Sequence, residues 1–407
     1  RQLAAHEVGH TLGLVHNYAA SSDDRASVMD YPHPLVKLDR NGEIDLSDAY
    51  DVNIGEWDIA TIKYGYTQYD DSTDAQAALN MLLEETHKRG LRFISDRDAR
   101  ADDGAHPIAH LWDEGAGAAN ELSRMMVVRE KVLSNLSEKS LPMGSPYSSL
   151  EEILVPMYLF HRYQIEAAAK IVGGLDYSYS IKGDLQLKTA MIAPNAQWEA
   201  LGALIQTVQP KSLMLSKTLL TKIPPKAQGY DRSRESFGSK MGPVFDYYTA
   251  VETASEMSLS FLLHPHRANR LVMYHDLDAQ QPGLAPVIHR LLESTWYNPH
   301  SNPEERAIQR IVERKILDKI MLLNMHEGSQ TDVKSISYAL ILELLDYCSG
   351  RKTEVFEDAA HYKSMAALIA LWLEDPEEVK ETETLKAPNG SPIGHDARFF
   401  EYCSFGN

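Results

Sequence analysis

Two cysteines, Cys348 and Cys403, are all that the 407 residues contain. No disulfide framework can hold this fold, and free thiols are preferred here to a single bridge. Long apolar runs are missing as well. Nothing approaches the roughly 20 consecutive apolar residues that a membrane-spanning helix needs, so no transmembrane segment is expected. Positive charge is in deficit: 40 Lys and Arg against 58 Asp and Glu leave a net charge of −18. That balance argues against a nucleic-acid partner and an anionic membrane surface, both of which call for the opposite sign. No fixed-period repeat occurs, which excludes a solenoid. A start methionine and an export signal are also lacking, and the sequence opens inside a motif, so a further part of the protein is expected upstream. What remains is an ordinary 43% apolar content over a length sufficient for two or three domains.

The densest chemistry lies in the first sixteen residues. His6 and His10 stand four apart in a segment with Leu3, Val8, Leu12 and Leu14 at helical apolar positions. One helical face then carries both imidazoles, a turn apart and within reach of one metal ion. A catalytic zinc takes three protein ligands and keeps a fourth position for water, and His16 is placed to be the third ligand. Gly13 lets the helix stop and the backbone turn sharply, which a residue with a side chain resists. Glu7 follows the first ligand and points to the edge of the same face, the place of a general base that takes a proton from water and passes it to a leaving amine. Zinc would lower the pKa of that water to about 7. His-Glu-x-x-His alone is common by chance. Three histidines, a glutamate and a glycine at fixed positions arise at a frequency on the order of 10⁻⁷ to 10⁻⁸ per start site, which favours a metal site over solvent-facing histidines.

His6 to His16, with Asn17 directly after, resembles the metzincin signature. Downstream, Ser27-Val28-Met29-Asp30-Tyr31 looks like the Met-turn of that group. The resemblance implies that Met29 is no ligand and that its thioether forms an apolar floor beneath the three imidazoles. It also offers Tyr31 a part in binding the oxyanion of the transition state, with a plain core or surface tyrosine as the equal alternative. His16-Asn17-Tyr18, Ser21-Ser22, Ala26 to Pro32 and Gly55-Glu56-Trp57-Asp58-Ile59 together resemble the bacterial Ecx-type zinc-binding metallopeptidases. So do Tyr158 to Gln164, Gly173-Gly174, Lys182-Gly183-Asp184, Gly229 to Arg232 and Phe245-Asp246. This likeness implies a zinc-dependent metalloendopeptidase with one catalytic Zn2+, a protein or peptide substrate, and a secreted, periplasmic or cell-surface setting. It further implies that a sheet carrying the substrate-binding edge strand precedes the zinc helix, so the chain alone should be weakly active or inactive.

The expected fold class is mainly α. Residues 1–70 would form the C-terminal subdomain of a metzincin catalytic domain, with the zinc helix, the Met-turn and a short helix at 56–64. A helical domain over 71–222 and a C-terminal helical region over 223–407 would follow. Residues 17–54 read as irregular, with a turn at Asn41-Gly42, and the loop from Pro32 to Gly55 is the expected wall of a specificity pocket. Apolar spacing predicts helices at 74–88, 116–137, 149–172, 196–207, 210–219, 244–263, 267–277, 284–296, 303–325, 331–348 and 355–374. Tyr177, Tyr179 and Ile181, then Leu185 and Leu187, predict a short hairpin near 177–188, turning at Lys182-Gly183-Asp184. Residues 223–242 read as a linker or long loop, and the stretch after Pro376 as partly irregular.

Other polar residues carry less weight. His161, on an apolar helix, reads as buried and hydrogen-bonded, and His33 as an exposed loop residue with the cleft as its alternative. Ser95-Asp96-Arg97-Asp98 and Asp102-Asp103 suit Ca2+ by their paired carboxylates, yet they lack the glycine and distal glutamate of an EF-hand, so a solvated charge run is preferred. Arg232, Arg234 and Glu235 read as surface pairs. Met125, Met126, Met321 and Met325 read as core. The rival to an enzyme is a helical binding or scaffold protein with a vestigial metal site, against which an intact Glu7 speaks. The sequence carries no signal for oligomeric state.

Overall fold

Apolar periodicity closed by polar caps sets the helices. The computed structural model describes residues 1–184, 186–379 and 386–390. The first part of the chain holds α1 (Gln2–Thr11), a two-residue hairpin β1 (Lys37–Leu38) and β2 (Ile44–Asp45), α2 (Glu56–Tyr66), α3 (Ala75–Lys88) and α4 (Asp96–Ala99). Then come α5 (Ala118–Asn135), α6 (Leu150–Tyr158), α7 (Arg162–Ala169), a second hairpin β3 (Leu175–Tyr177) and β4 (Thr189–Met191), α8 (Pro194–Thr207), α9 (Pro210–Leu213) and α10 (Lys217–Leu220). The remainder is α11 (Tyr247–Leu262), α12 (Pro265–Leu277), α13 (Leu284–Ser294), α14 (Pro303–Met325), α15 (Thr331–Gly350) and α16 (Phe356–Glu374). Side chains of Asp74, Asp246 and Asn302 accept backbone N–H groups at the starts of α3, α11 and α14. Proline opens α8, α12 and α14, where its missing N–H costs nothing.

The fold is mainly α, as expected. One apolar core runs from Leu122 to Trp372 and joins α5, α7, α8 and α11 to the layer of α14, α15 and α16, with Trp296 and Tyr158 fully buried inside it. Residues on both sides of position 222 share this core. The metal-site segment rests instead on two small clusters, Ala19 with Ile94 and Ala109, and Ala20 with Ala26 and Leu91. Among the described residues no helix is long and apolar enough to cross a membrane.

Several expectations shift. The single helix over 149–172 is two: α6 carries Pro156 inside it and ends at Tyr158, and α7 restarts at Arg162. Proline removes one intrahelical hydrogen bond and favours such a break. The helix over 210–219 is also broken, because Met214 is extended (ψ 141°) and Ser216 caps a new turn. The second hairpin exists, but its ladder pairs Leu175 with Met191 and Tyr177 with Thr189, so of the predicted alternation only Tyr177 takes part, and Gly183 (φ +103°) sits in the connecting loop. On α1, Leu3, Val8 and Leu12 are exposed, while His6 and Gly9 are its buried residues. Cys348 is buried in the core; whether it pairs with Cys403 lies outside the described residues.

Candidate metal centre

Helix α1 places His6 and His10 one turn apart, and their Nε2 atoms lie 3.1 Å from each other. The helix ends where Leu14 N–H donates to the Gly9 carbonyl, and Gly13 adopts φ +85°, a left-handed conformation that glycine enters without cost. This turn brings back the Leu14 carbonyl to accept from His10 Nδ1 at 2.9 Å and sends His16 toward the other two rings. His6 Nδ1 meets the Val28 carbonyl at 2.7 Å, and His16 Nδ1 meets both oxygens of Asp96 at 3.0 and 2.8 Å. Carbonyl and carboxylate oxygens only accept, so each Nδ1 must carry the proton and each Nε2 is left with a lone pair. Burial holds the His6 pKa below its ordinary value, which favours the neutral ring.

Two lone pairs facing at 3.1 Å repel unless a cation lies between them. His16 Nε2 is buried without a hydrogen-bond partner among the described residues, and one ligand atom from each of the three rings lies within 4.8 Å of the others. A tetrahedral zinc with bonds of about 2.0–2.1 Å holds its nitrogen ligands about 3.3 Å apart. The three histidines fit that ion.

Met29 is fully buried, with its sulfur against Gly9 of α1. A Cβ at Gly9 would stand 2.3 Å from the Met29 sulfur, so a glycine in the middle of the zinc helix is what allows the methionine to seat. Asp58, on the first turn of α2, holds the turn that presents Met29: its carboxylate accepts from Ser27 Oγ (2.5 Å), Val28 N (2.9 Å) and Gly55 N (2.7 Å). Gly55 lies so close to the Ala26 carbonyl that a Cβ would fall 1.9 Å from that oxygen. Gly55 and Asp58 entered the sequence reading only as part of a family resemblance, and neither they nor Gly9 had a structural role in it.

The residue that orients His16 comes from α4, and α4 is held by several braces. Asn17 donates from Nδ2 to the Arg92 carbonyl, accepts the N–H of Ile94, and by its own N–H reaches the Met29 carbonyl. Lys170, fully buried on the turn after α7, donates from Nζ to the carbonyls of Ala99 (2.7 Å) and Ala109 (3.0 Å). Burial would raise the Asp96 pKa, yet hydrogen bonds from Arg100 and His16 bring it down to about 2. Asp96 therefore stays an anion. Here the structure corrects the preferred reading of a solvated charge run, because the carboxylates are engaged: Asp96 serves His16 and Arg100, Asp98 accepts from the hydroxyls of Tyr177 and Tyr179, and Asp103 pairs with His266.

Tyr31 lies across the cluster, its ring 4.5 Å from His6 and 4.9 Å from His16. Burial first, and the charge of Glu7 second, raise its pKa and keep the hydroxyl protonated. Glu7 itself is exposed, and its charge also acts on His6. Beside them opens a pocket of about 420 Å³ lined by Leu3, His6, Val28, Tyr31, Tyr50 and Trp112 among others. Tyr50 and Pro32 come from the expected wall; Trp112 was not foreseen. Its ring lies 5.0 Å from Tyr31 and its N–H donates to the Tyr31 carbonyl, at the unusual φ of +66°. A bulky residue held left-handed is a strained one.

Elsewhere, His33 is buried against Phe160 and Tyr163, turned to those rings and not lining the pocket, with its pKa lowered by burial to about 4. His161 is buried, but its Nδ1 has no partner among the described residues. Met125 and Met321 are core, whereas Met325 is partly exposed and accepts from Trp372 Nε1. Below the Met-turn lies an unforeseen acidic group. Asp30 accepts from the N–H groups of Ser21 and Tyr31, Asp113 from the Ser21 hydroxyl, and Glu114 stands 3.6 Å from Arg25.

Comparison with protein families adds the decisive observation. The model of the Met-zincin family matches residues 1–302, well over half of the chain. The chain belongs to the Met-zincin family. No curated protein and no solved structure matches it. The Met-zincin match extends past the three histidines and Met29 to include Asp96, Trp112 and Lys170.

Proposed function

We propose that the chain is a zinc-dependent metalloendopeptidase in which His6, His10 and His16 hold one Zn2+. The observation that carries this is the convergence of three Nε2 lone pairs whose opposite nitrogens are each tied to an acceptor. Such outer partners fix tautomer and ring orientation in metal sites. When bound, zinc would supply a Lewis acid that polarises a peptide carbonyl and makes water more acidic.

The chain's own residues divide the remaining work. Glu7 takes a proton from the attacking water and returns it to the leaving amine nitrogen. Tyr31, protonated and lying over His6 and His16, donates a hydrogen bond to the substrate carbonyl oxygen as charge develops there. The pocket beside His6 takes an apolar side chain of the substrate and so fixes which peptide bond lies over the rings. The likeness to Ecx-type enzymes extends the proposal to an extracytoplasmic setting, which fractionation of the producing cells tests.

Metal analysis tests the core of this reading and should find about one zinc per chain. A metal-free, well-folded protein whose His10→Ala variant behaves identically overturns it. Glu7→Gln should keep zinc and lose peptide cleavage. Retained turnover would remove Glu7 from the base role.

A further inference from the structure

Away from the histidines, residues 386–390 lie against the start of α7 and the loop that precedes α11. Three successive main-chain carbonyls are gripped there. Arg162 Nη1 donates to Pro388 O at 2.6 Å, Tyr163 Oη to Asn389 O at 2.6 Å, and Arg234 Nη2 to Gly390 O at 2.5 Å. No side chain of the segment takes part in these bonds. A Cβ on Gly390 would fall 2.4 Å from Tyr163 Oη and 2.8 Å from Arg162 Cζ, and its φ is +79°, so a side chain there would have to push both gripping groups aside from a strained backbone.

With the segment in place, the receiving side chains also have partners of their own. The Arg162 side chain is only 8% exposed and is braced by the Leu159 carbonyl (3.1 Å) and Glu235 (3.5 Å). Without residue 388, a buried guanidinium would lose a partner, which costs more than the bond itself contributes. Glu235 Oε1 is buried with no hydrogen-bond partner among the described residues, an acceptor still available to an N–H donor. The Tyr163 ring lies 6.4 Å from Trp112, which lines the pocket beside His6. The grip therefore adjoins the aromatic row that leads to the metal centre.

We propose that Arg162, Tyr163, Arg234 and Glu235 form a peptide-binding site that reads the backbone of an extended, glycine-containing segment, and that residues 386–390 fill it as a tethered ligand in competition with peptides from outside. The pattern reads main-chain carbonyls and admits one side-chain size, as peptide-recognition grooves do. This assignment stands independently of the metal.

The test uses the full chain and a fluorescently labelled Lys-Ala-Pro-Asn-Gly peptide, the sequence of residues 386–390. In the parent chain the tether outcompetes the peptide. The Gly390→Val variant, whose new side chain cannot seat, should bind it at least about ten-fold more tightly by fluorescence anisotropy, since a tethered competitor acts at high effective concentration. Adding Tyr163→Phe to that variant should weaken binding about three- to ten-fold, the loss of one hydrogen bond. Equal binding to parent and Gly390→Val, or binding to neither, overturns the proposal.

Discussion

His16 Nδ1 stands 2.8 Å from a carboxylate oxygen of Asp96, eighty residues further along the chain. The third histidine of the motif is thus oriented by a helix of only four residues, itself held by Asn17 on one side and Lys170 on the other. Asp96→Ala frees the His16 ring and leaves its Nδ1 without an acceptor. Zinc affinity should fall about 10- to 100-fold, measured by competition with a chromophoric chelator, while the circular dichroism of the helices is unchanged. Parent-like affinity would show that His16 needs no such partner.

Gly9 and Met29 make a second such pair. Gly9→Ala should destabilise the metal-free protein by about 1–3 kcal/mol in urea titration, the usual cost of overpacking. It should also lower zinc affinity, because the displaced methionine would press on the helix that carries His6 and His10. An alanine variant as stable as the parent would mean that Met29 has room to withdraw.

Burial pushes Asp113 up to about 7 and Glu114 up to about 8. Unfolded carboxyls titrate near 4, so between about pH 4 and 8 the native state binds more protons than the unfolded one. The stability these groups contribute is complete below about pH 4 and is lost as pH rises through 7 to 8. With a chelator present, the urea midpoint should therefore fall from pH 5 to pH 8. Asp113→Asn, which keeps an acceptor for Ser21, should flatten that fall; an unchanged slope in the variant would assign the effect elsewhere.

Trp112→Ala removes a wall of the pocket beside His6 and places a smaller residue at φ +66°. For peptides with a large apolar side chain next to the cleaved bond, KM should rise several-fold with kcat less affected, because ground-state and transition-state binding are lost together. A change confined to kcat would instead put Trp112 in the positioning of Tyr31.

The cluster of His6, His10 and His16 was legible in the sequence because it lies within one local motif, which needs only helical geometry and the turn at Gly13 to be placed. The helices beyond residue 74 were legible for a similar reason, their apolar spacing being regular. Asp96 was visible only as one of several acidic residues in a loop, since nothing in its neighbours points to a partner eighty residues away. Trp112 and Asp58 were hidden in the same way. The break at residues 159–161 escaped because the apolar pattern continues across it, while Pro156 marks only a weakened helix. The exposed face of α1 reverses the usual inference from Leu3 and Val8, because the buried residues of this helix are His6 and Gly9, with His10 partly buried.

Asn17 has a consequence for how the chain responds to metal. Its side chain and N–H join the histidine motif to the Met29 carbonyl and to residues 92–94, and Arg92 in turn pairs with Asp176 in β3 of the second hairpin. A ligand that binds only the folded form stabilises whatever must be intact for binding. Zinc should accordingly slow amide hydrogen exchange as far away as residues 94–110 and the β3–β4 ladder, well outside contact with the ion. In that sense the helical region and the metal centre are one cooperative unit, and occupancy at three N-terminal histidines is a report on the integrity of the fold around Lys170.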